Sequence, residues 1–257
     1  MMAQHKFRSH GFQCPPNVYQ VLIISDILVT SIFGSMTHLR DSNMLLVLVY
    51  GIFFYTSLLF VIYYWVKASK ADPTDPVVLA NRAALIGSLP FDSSRYESMC
   101  TICNTSVGDN SKHCGSCNRC VERFDHHCIW LNNCIGKKNY KFFIKLIISL
   151  FIHELTILTA SIRLIFLYFS SEGLENYYGL QIMAVEIFLT VQGTALGFFL
   201  LNLIILHIWL YKRGLTTYEL IKLRSKKKKR IHSIGPTEVV NSKVTVPQSP
   251  KYLNDNN

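Results

Sequence analysis

Charge is scarce in this chain. Only 16% of its 257 residues are Asp, Glu, Lys or Arg, while 50% are hydrophobic. That balance argues against an ordinary soluble globule. Charge thins out almost completely over roughly 18–37, 44–66, 142–169 and 182–211. Each stretch reaches the length of about 20 mostly apolar residues that crosses a ~30 Å hydrocarbon core. No signal peptide is apparent, because residues 1–16 are polar and carry two prolines. No internal repeat is visible. Cysteine is nearly confined to one segment: seven of the eight lie within residues 100–143, and only Cys14 lies elsewhere.

Acidic residues are outnumbered, 16 against 26 Lys and Arg. Of those 26, only Arg40 and Arg163 fall outside the N-terminal tail, the 67–141 loop with the start of the third span, and the C-terminal tail. The loop 170–181 carries only Glu172 and Glu175. The positive-inside bias puts both termini and the cysteine-rich loop in the cytosol. That compartment is reducing and favours zinc thiolates over disulfides.

The expected fold is therefore an all-α integral membrane protein, with four transmembrane helices and a cytosolic zinc-binding domain between the second and third. Residues 1–17 form an N-terminal segment in which juxtamembrane Cys14 is open to palmitoylation or is a plain surface thiol. Helices 1 and 2 occupy 18–66, a linker 67–99, the cysteine-rich domain 100–143, and helices 3 and 4 142–211. Asp72-Pro73 and Asp75-Pro76 break the chain at the membrane surface, and 77–86 reads as a short surface helix. Residues 212–230 end in the basic run Lys226–Arg230, suited to anionic lipid or simply to a stop signal. The polar tail 231–257 reads as disordered. Within the spans, Asp26 either reaches water or meets a polar partner. His153, Glu154, Arg163 and Glu186 need partners in the bundle, and Gly193–Gly197 suits close helix packing.

Residues 100–143 organise the chain. They hold Cys100, Cys103, Cys114, Cys117, Cys120, Cys128 and Cys134 with His113, His126 and His127. Two closed tetrahedral zinc sites use eight ligands, which leaves two of the ten. If both sites are Cys₃His, the surplus is one cysteine and one histidine, the minimum for a thiolate nucleophile with its base. The count alone does not say which pair is free. Little room remains between ligands for regular structure. In Asp125-His126-His127-Cys128 an imidazole can take a thiol proton while a carboxylate orients it. Arg119, Arg123, Lys137 and Lys138 favour thiolate and an anionic substrate. The competing reading on residues alone is zinc binding only, with Cys128 a spare ligand.

The cluster resembles the cysteine-rich domain of the DHHC protein S-acyltransferases. Their pattern C-x2-C-x9-H-C-x2-C-x2-C-x4-D-H-H-C-x5-C-x4-N-x3-F is met at every position from Cys100 to Phe143, Asn139 included. A Thr-Thr-x-Glu motif follows the fourth span at Thr216-Thr217-Tyr218-Glu219. The resemblance covers roughly residues 15–222. It implies one zinc on Cys100, Cys103, His113 and Cys120, and a second on Cys114, Cys117, His127 and Cys134. It further implies Cys128 as nucleophile, His126 as base, Asp125 as the orienting carboxylate and Thr217 as that carboxylate's support. Many members hold CoA phosphates with a Lys/Arg-Pro pair and a nearby Arg. Those places are Val107-Gly108 and Asn110 here, with Lys112 the nearest cation. The Asp-Pro-Gly motif after span two is Asp72-Pro73-Thr74. A branch of the family shares these departures and a Pro-Pro pair like Pro15-Pro16, and leans towards endoplasmic reticulum and endosomes.

The function expected from the resemblance is transfer of a fatty acyl group, typically palmitoyl, from acyl-CoA through a Cys128 thioester to cysteines of membrane-associated proteins. Two structural zinc ions would be resident, acyl-CoA the donor, membrane lipids and proteins with juxtamembrane or surface cysteines the partners, and nucleic acid none. Endomembranes (endoplasmic reticulum, Golgi or endosome) are the expected location. Side chains near Phe151 and His153 would set acyl length. The alternative is a zinc-stabilised membrane adaptor with weak or no transferase activity. A dithiol redox protein and an ion channel or transporter fit fewer of the residues.

Overall fold

The computed structural model describes residues 7–87, 90–170 and 179–233. Four helices are long and apolar enough to cross a membrane: α1 (Val18–His38), α2 (Met44–Lys70), α4 (Tyr140–Ser170) and α5 (Leu180–Lys212). Asn17 and Asn43 start the first two, each accepting a hydrogen bond from the first-turn backbone, which meets donors that a helix start leaves unpaired. Between α2 and α4 lies α3 (Pro76–Leu85), begun by the Asp75 side chain, which accepts from the Val77 N–H, and by Pro76 at its first position. A last helix, α6 (Thr217–Ser233), follows α5 after a turn at Gly214, whose φ is +64°. The rest of the 231–257 tail lies outside the described residues.

The polar side chains in the spans are met mostly by each other. Arg163 pairs with Asp41, and buried Glu186 accepts from Thr37 at 3.0 Å and lies 3.6 Å from Arg40. Both ties sit at the end of the bundle opposite the cysteines, fastening α4 and α5 to the α1–α2 turn. His153 sits between α1 and α2, its Nδ1 3.0 Å from Ser57 Oγ and its Nε2 3.5 Å from Ser31 Oγ. Phe151 lines a shallow apolar groove between α4 and α5 beside Gly193 and Gly197. Glu154 is buried and faces Gln192 and the Asp26 charge.

The cysteine-rich segment is more regular than its ligand density implies. It folds into three two-stranded antiparallel hairpins: β1 (Met99–Cys100) with β2 (Thr105–Ser106), β3 (Lys112–Cys114) with β4 (Arg119–Val121), and β5 (His126–Cys128) with β6 (Asn133–Ile135). Each turn ends on an asparagine in the left-handed region, Asn104, Asn118 and Asn132 with φ of 48°, 49° and 50°. Asparagine is among the few non-glycine residues that adopt this conformation readily.

These hairpins are an internal repeat, which corrects the reading of the chain as repeat-free. The register H-C-x-x-C-N-x-C recurs every fourteen residues: Cys100/Cys103/Asn104, then His113/Cys114/Cys117/Asn118/Cys120, then His127/Cys128/Leu131/Asn132/Cys134. Met99 and Ser106 stand at the outer ligand places of the first unit, and Leu131 at the second cysteine of the third. With so few positions shared, the repeat is fixed by turn geometry and metal-ligand spacing and is faint in the sequence.

Candidate active site

Strand alternation explains why two adjacent histidines have different surroundings. Successive side chains on a strand point to opposite faces, so His127 in β5 faces one way while His126 and Cys128 face the other. On the first face, His127 is the cross-strand partner of Cys134. It meets the Cys114/Cys117 turn of the preceding hairpin, with Cys117 Sγ 3.4 Å and Cys134 Sγ 3.8 Å from His127 Nδ1. One unit earlier the same arrangement recurs. His113 pairs across the strands with Cys120, and its Nδ1 lies 3.3 Å from Cys103 Sγ, 3.8 Å from Cys100 Sγ and 3.9 Å from Cys120 Sγ. Each quartet thus takes a C-x-x-C turn from one hairpin and a His–Cys strand pair from the next.

Both quartets, Cys100/Cys103/His113/Cys120 and Cys114/Cys117/His127/Cys134, have ligand atoms within 4.8 Å of one another. A tetrahedral ion with bonds of about 2.3 Å to sulfur and about 2.0 Å to nitrogen sets its ligand atoms about 3.5–3.8 Å apart. The observed separations match, and the Cys₃His donor set suits zinc. Without an ion these thiols could only share protons among themselves. Hydrogen bonds from Cys117 and Cys134 drive the Cys114 thiol far down, while bonding to Cys114 and Cys117 drives Cys134 far up. A cation at the centre is what lets all the thiols of such a set deprotonate together.

On the opposite face of β5, the His126 Nδ1–H donates to Asp125 Oδ2 at 2.6 Å. Asp125 is 2% exposed. Its other oxygen accepts from the Thr217 N–H at 2.8 Å, and its carbonyl accepts from the Tyr218 N–H at 3.1 Å. The start of α6 therefore closes over the carboxylate through its backbone. The Thr217 hydroxyl, the side-chain feature the motif draws attention to, finds no partner among the described residues. Burial alone would raise the Asp125 carboxyl, but the hydrogen bond and charge of His126 and the Thr217 N–H hold it below the ordinary range. Burial likewise works against His126 carrying charge. The hydrogen bonds and charges of Asp125 and Cys128 outweigh it, and its pKa is pushed up to about 9.

Cys128 is buried in an apolar cluster with Val61 and Ala68 of α2, Phe143, Leu146 and Ile147 of α4, Leu200 of α5, and Leu131 and Ile135 of its own hairpin. The thiol is thus bedded where the zinc domain meets the membrane helices. Phe143 stands edge-on to His126 (ring centroids 5.2 Å) and to His207 of α5 (5.3 Å), and His207 Nδ1 lies 3.0 Å from the Tyr140 hydroxyl. His207 and Tyr140 at this site carried no motif signal. Their place follows from the packing of α5 on α4.

The basic residues assigned to an anionic substrate divide. Arg119 does not face solvent: it is fully buried, its guanidinium donating to Asp72 at 3.0 Å, to the Ser9 carbonyl and to Asn133 Oδ1. A buried guanidinium needs such acceptors, so Arg119 is a structural tie and the sequence reading of it is corrected. Lys137 is exposed and paired with Glu122 at 2.7 Å, and Lys138 is exposed. Lys112 and Arg123 line a cleft of about 210 Å³ together with Lys222 of α6, which the sequence reading did not single out. Asp109 and Glu219 also line it. The Val107–Ser111 loop is used internally, with Gly108 N–H and Ser111 Oγ both donating to Asp75.

Asn133 is a further residue that the sequence reading missed. Its amide donates to the carbonyls of Ala68, Ser69 and Ala71 at 3.1, 3.1 and 2.9 Å, meeting the end of α2. Asn139 donates to Ala68 and Cys134 carbonyls. A family model described as DHHC palmitoyltransferase matches residues 93–224. A search of curated proteins returned no match. The matched residues, just over half of the chain, include all three hairpins, α4, α5 and the start of α6, and on that match the chain belongs to the DHHC palmitoyltransferase family.

Proposed function

We propose that this chain is a protein S-acyltransferase that carries a fatty acyl group from acyl-CoA to protein cysteines through a thioester on Cys128. The observation that carries the reading is the split of β5, with His127 on a four-ligand metal face and Asp125, His126 and Cys128 set apart from it against the membrane helices.

The Cys128 proton passes to His126 Nε2, the ring nitrogen left over by the Asp125 bond, giving a thiolate beside an imidazolium. The thiolate attacks the acyl-CoA carbonyl carbon, the bond from that carbon to the CoA sulfur breaks, and His126 returns its proton to the departing sulfur. In the second half a substrate cysteine gives its proton to His126 and attacks the Cys128 thioester; the bond from the acyl carbon to the Cys128 sulfur breaks, Cys128 departs as the thiolate beside the imidazolium, and the substrate leaves with the acyl group. Each step exchanges one thioester for another, so the acyl group stays transferable. Asp125 keeps the imidazole oriented and charged, as a buried carboxylate does for a histidine base. In this reading Cys100, Cys103, His113 and Cys120 hold one zinc and Cys114, Cys117, His127 and Cys134 the other. With four protein ligands each, these sites have no open position for substrate; zinc there supplies rigidity.

The apolar bed around Cys128 supports a donor whose acyl chain enters among α2, α4 and α5, with His153 between Ser31 and Ser57 as a polar limit further along. The cations of the Lys112–Arg123–Lys222 cleft suit the CoA phosphates, with Lys138 a further exposed cation. Labelling with a fatty-acid probe tests the whole. Wild type is labelled, Cys128→Ser is not, and both hold two zinc ions per chain. A Cys128→Ser variant that loses zinc makes Cys128 a ligand, and one that still takes label puts the thioester elsewhere.

A further inference from the structure

The repeat exposes a mechanical gap. The turns of the first two hairpins are each tied by a four-ligand set. The third turn, Ile129–Asn132, has Leu131 where those turns have their second cysteine. A fourth hairpin would supply its histidine and last cysteine fourteen residues beyond His127 and Cys134. Those places are Lys141 and Ile148, inside α4. The hairpin that carries the reactive thiol is therefore the one whose turn no metal can hold.

What touches that turn is the segment before α1. Gly11 runs along it: its carbonyl accepts from Asn132 Nδ2 at 3.3 Å and from Gln20 Nε2 at 3.4 Å, and its N–H donates to the Ser69 carbonyl at 2.7 Å. The approach is so close that a Cβ on Gly11 would land on the Leu131 carbonyl oxygen, backbone against backbone. Tyr19, the second residue of α1, meets the Trp130 ring at 5.6 Å. On the preceding hairpin the Arg8 N–H donates to the Cys117 carbonyl at 3.0 Å, and Arg119 reaches the Ser9 carbonyl. The segment is braced within itself: Ser9 N–H donates to Gln13 Oε1, Gln13 Nε2 to Ser9 Oγ, and Arg8 Nη1 to the Gln13 carbonyl. Phe12 stands edge-on to Trp65 of α2 at 5.2 Å.

We propose that residues 8–13 are a positioning strap for the Cys128 hairpin, doing for the third turn what a metal ion does for the first two, with Gly11 and Asn132 as its fastening point. The strap lies outside residues 93–224, the part matched by the family model. It touches neither acyl group nor base and acts through the placement of Cys128, so the proposal rests on the acyl-transfer reading above.

The test uses full-length protein in lipid nanodiscs, measuring zinc per chain and the rate of Cys128 acylation against palmitoyl-CoA concentration. Gly11→Val drives a side chain into the Leu131 carbonyl. Asn132→Gly keeps the left-handed turn and deletes only the bond to the Gly11 carbonyl. Both are expected to keep two zinc ions and an unchanged half-saturating palmitoyl-CoA concentration. Their maximal acylation rate is expected to fall, by up to about a hundredfold for Gly11→Val, as a misplacement of about 1 Å produces, and by a smaller factor for Asn132→Gly. Wild-type rates in Asn132→Gly, or a change confined to half-saturation, overturn the proposal, and that variant decides if Gly11→Val does not fold. Absence of acylation in wild type itself would instead overturn the acyl-transfer reading.

Discussion

Replacing Asp125 with Asn separates the electrostatic role of the carboxylate from its bulk. The Asp125–His126 hydrogen bond of 2.6 Å is the first of the influences that raise His126 from 6.5 to about 9, and a rise of that size corresponds to about 3 kcal/mol in favour of the imidazolium. A neighbouring opposite charge accounts for about 1–3 pKa units, so Asp125→Asn should return His126 most of the way to its ordinary value. At pH 7.5 nearly all of the wild-type histidine is protonated, against roughly a tenth once its pKa is about 6.5. Losing the ring's fixed orientation adds to this, and the initial rate of Cys128 acylation should fall about 10²–10³-fold, less than the roughly 10⁴-fold seen when the orienting aspartate of a Ser-His-Asp triad is replaced. The pH profile supplies the sharper check. His126 is raised, so it keeps its charge through neutral pH and loses it as pH climbs through about 9. Wild-type acylation should hold to near pH 9 and then decline, and the declining limb should move towards pH 7 in the variant. Stopped acylation of nanodisc-embedded protein by palmitoyl-CoA, followed by mass spectrometry from pH 6 to 10, reads both. A variant within threefold of wild type at pH 7.5 with its limb unmoved would refute the reasoning.

Three further outcomes follow from other parts of the molecule. Asn133→Leu strips the Ala68, Ser69 and Ala71 carbonyls and the Arg119 guanidinium of a shared partner. It should lower unfolding stability by about 3 kcal/mol or more, seen as a drop in thermal midpoint in detergent. Cys117→Ser should leave one zinc per chain by metal analysis and abolish acylation, because His127 and Cys128 are neighbours in one strand. Lys112→Ala with Lys222→Ala should raise half-saturating palmitoyl-CoA about tenfold, from about 1 kcal/mol or less per surface cation, with the maximal rate kept.

The four spans and the presence of metal-binding turns were legible because each rests on local spacing, whereas the division of the ligands into two quartets came from the family resemblance, since each quartet draws on two hairpins. Apolar length reports a membrane helix, and C-x-x-C reports a turn around a metal. Arg119 shows where that kind of reading stops. Beside four cysteines it looked like a surface cation for an anionic substrate. Only the fold brings Asp72, Ser9 and Asn133 around it from three separate stretches of chain. The motif assigned Thr217 to the Asp125 carboxylate, and the contact between them comes from its backbone N–H, which sequence carries no sign of. Lys222, Tyr140 and His207 reach the site only through the turn at Gly214 and the packing of α5 on α4. The hairpin repeat stayed hidden because just one ligand place, the leading cysteine, is filled identically in all three units.

Under the acyl-transfer proposal, the same repeat gives a physical reason for the position of the thiol assigned to react. A thiolate in a closed zinc site is stable because four ligands share one ion, and such a thiolate cannot also form and break a thioester. A thiol meant to react must keep the rigid hairpin that zinc binding produces while escaping the ion. Cys128 meets both conditions. It follows His127, which is anchored in the second quartet, and it sits at the ligand place of a third unit whose remaining donors are replaced by Leu131 and by α4. Strand alternation then turns it to the face that holds His126 and the apolar ends of the membrane helices. On the acyl-transfer proposal, reactivity at Cys128 thus arises where the repeat stops, at the boundary between the metal-ligand hairpins and the membrane-length helices.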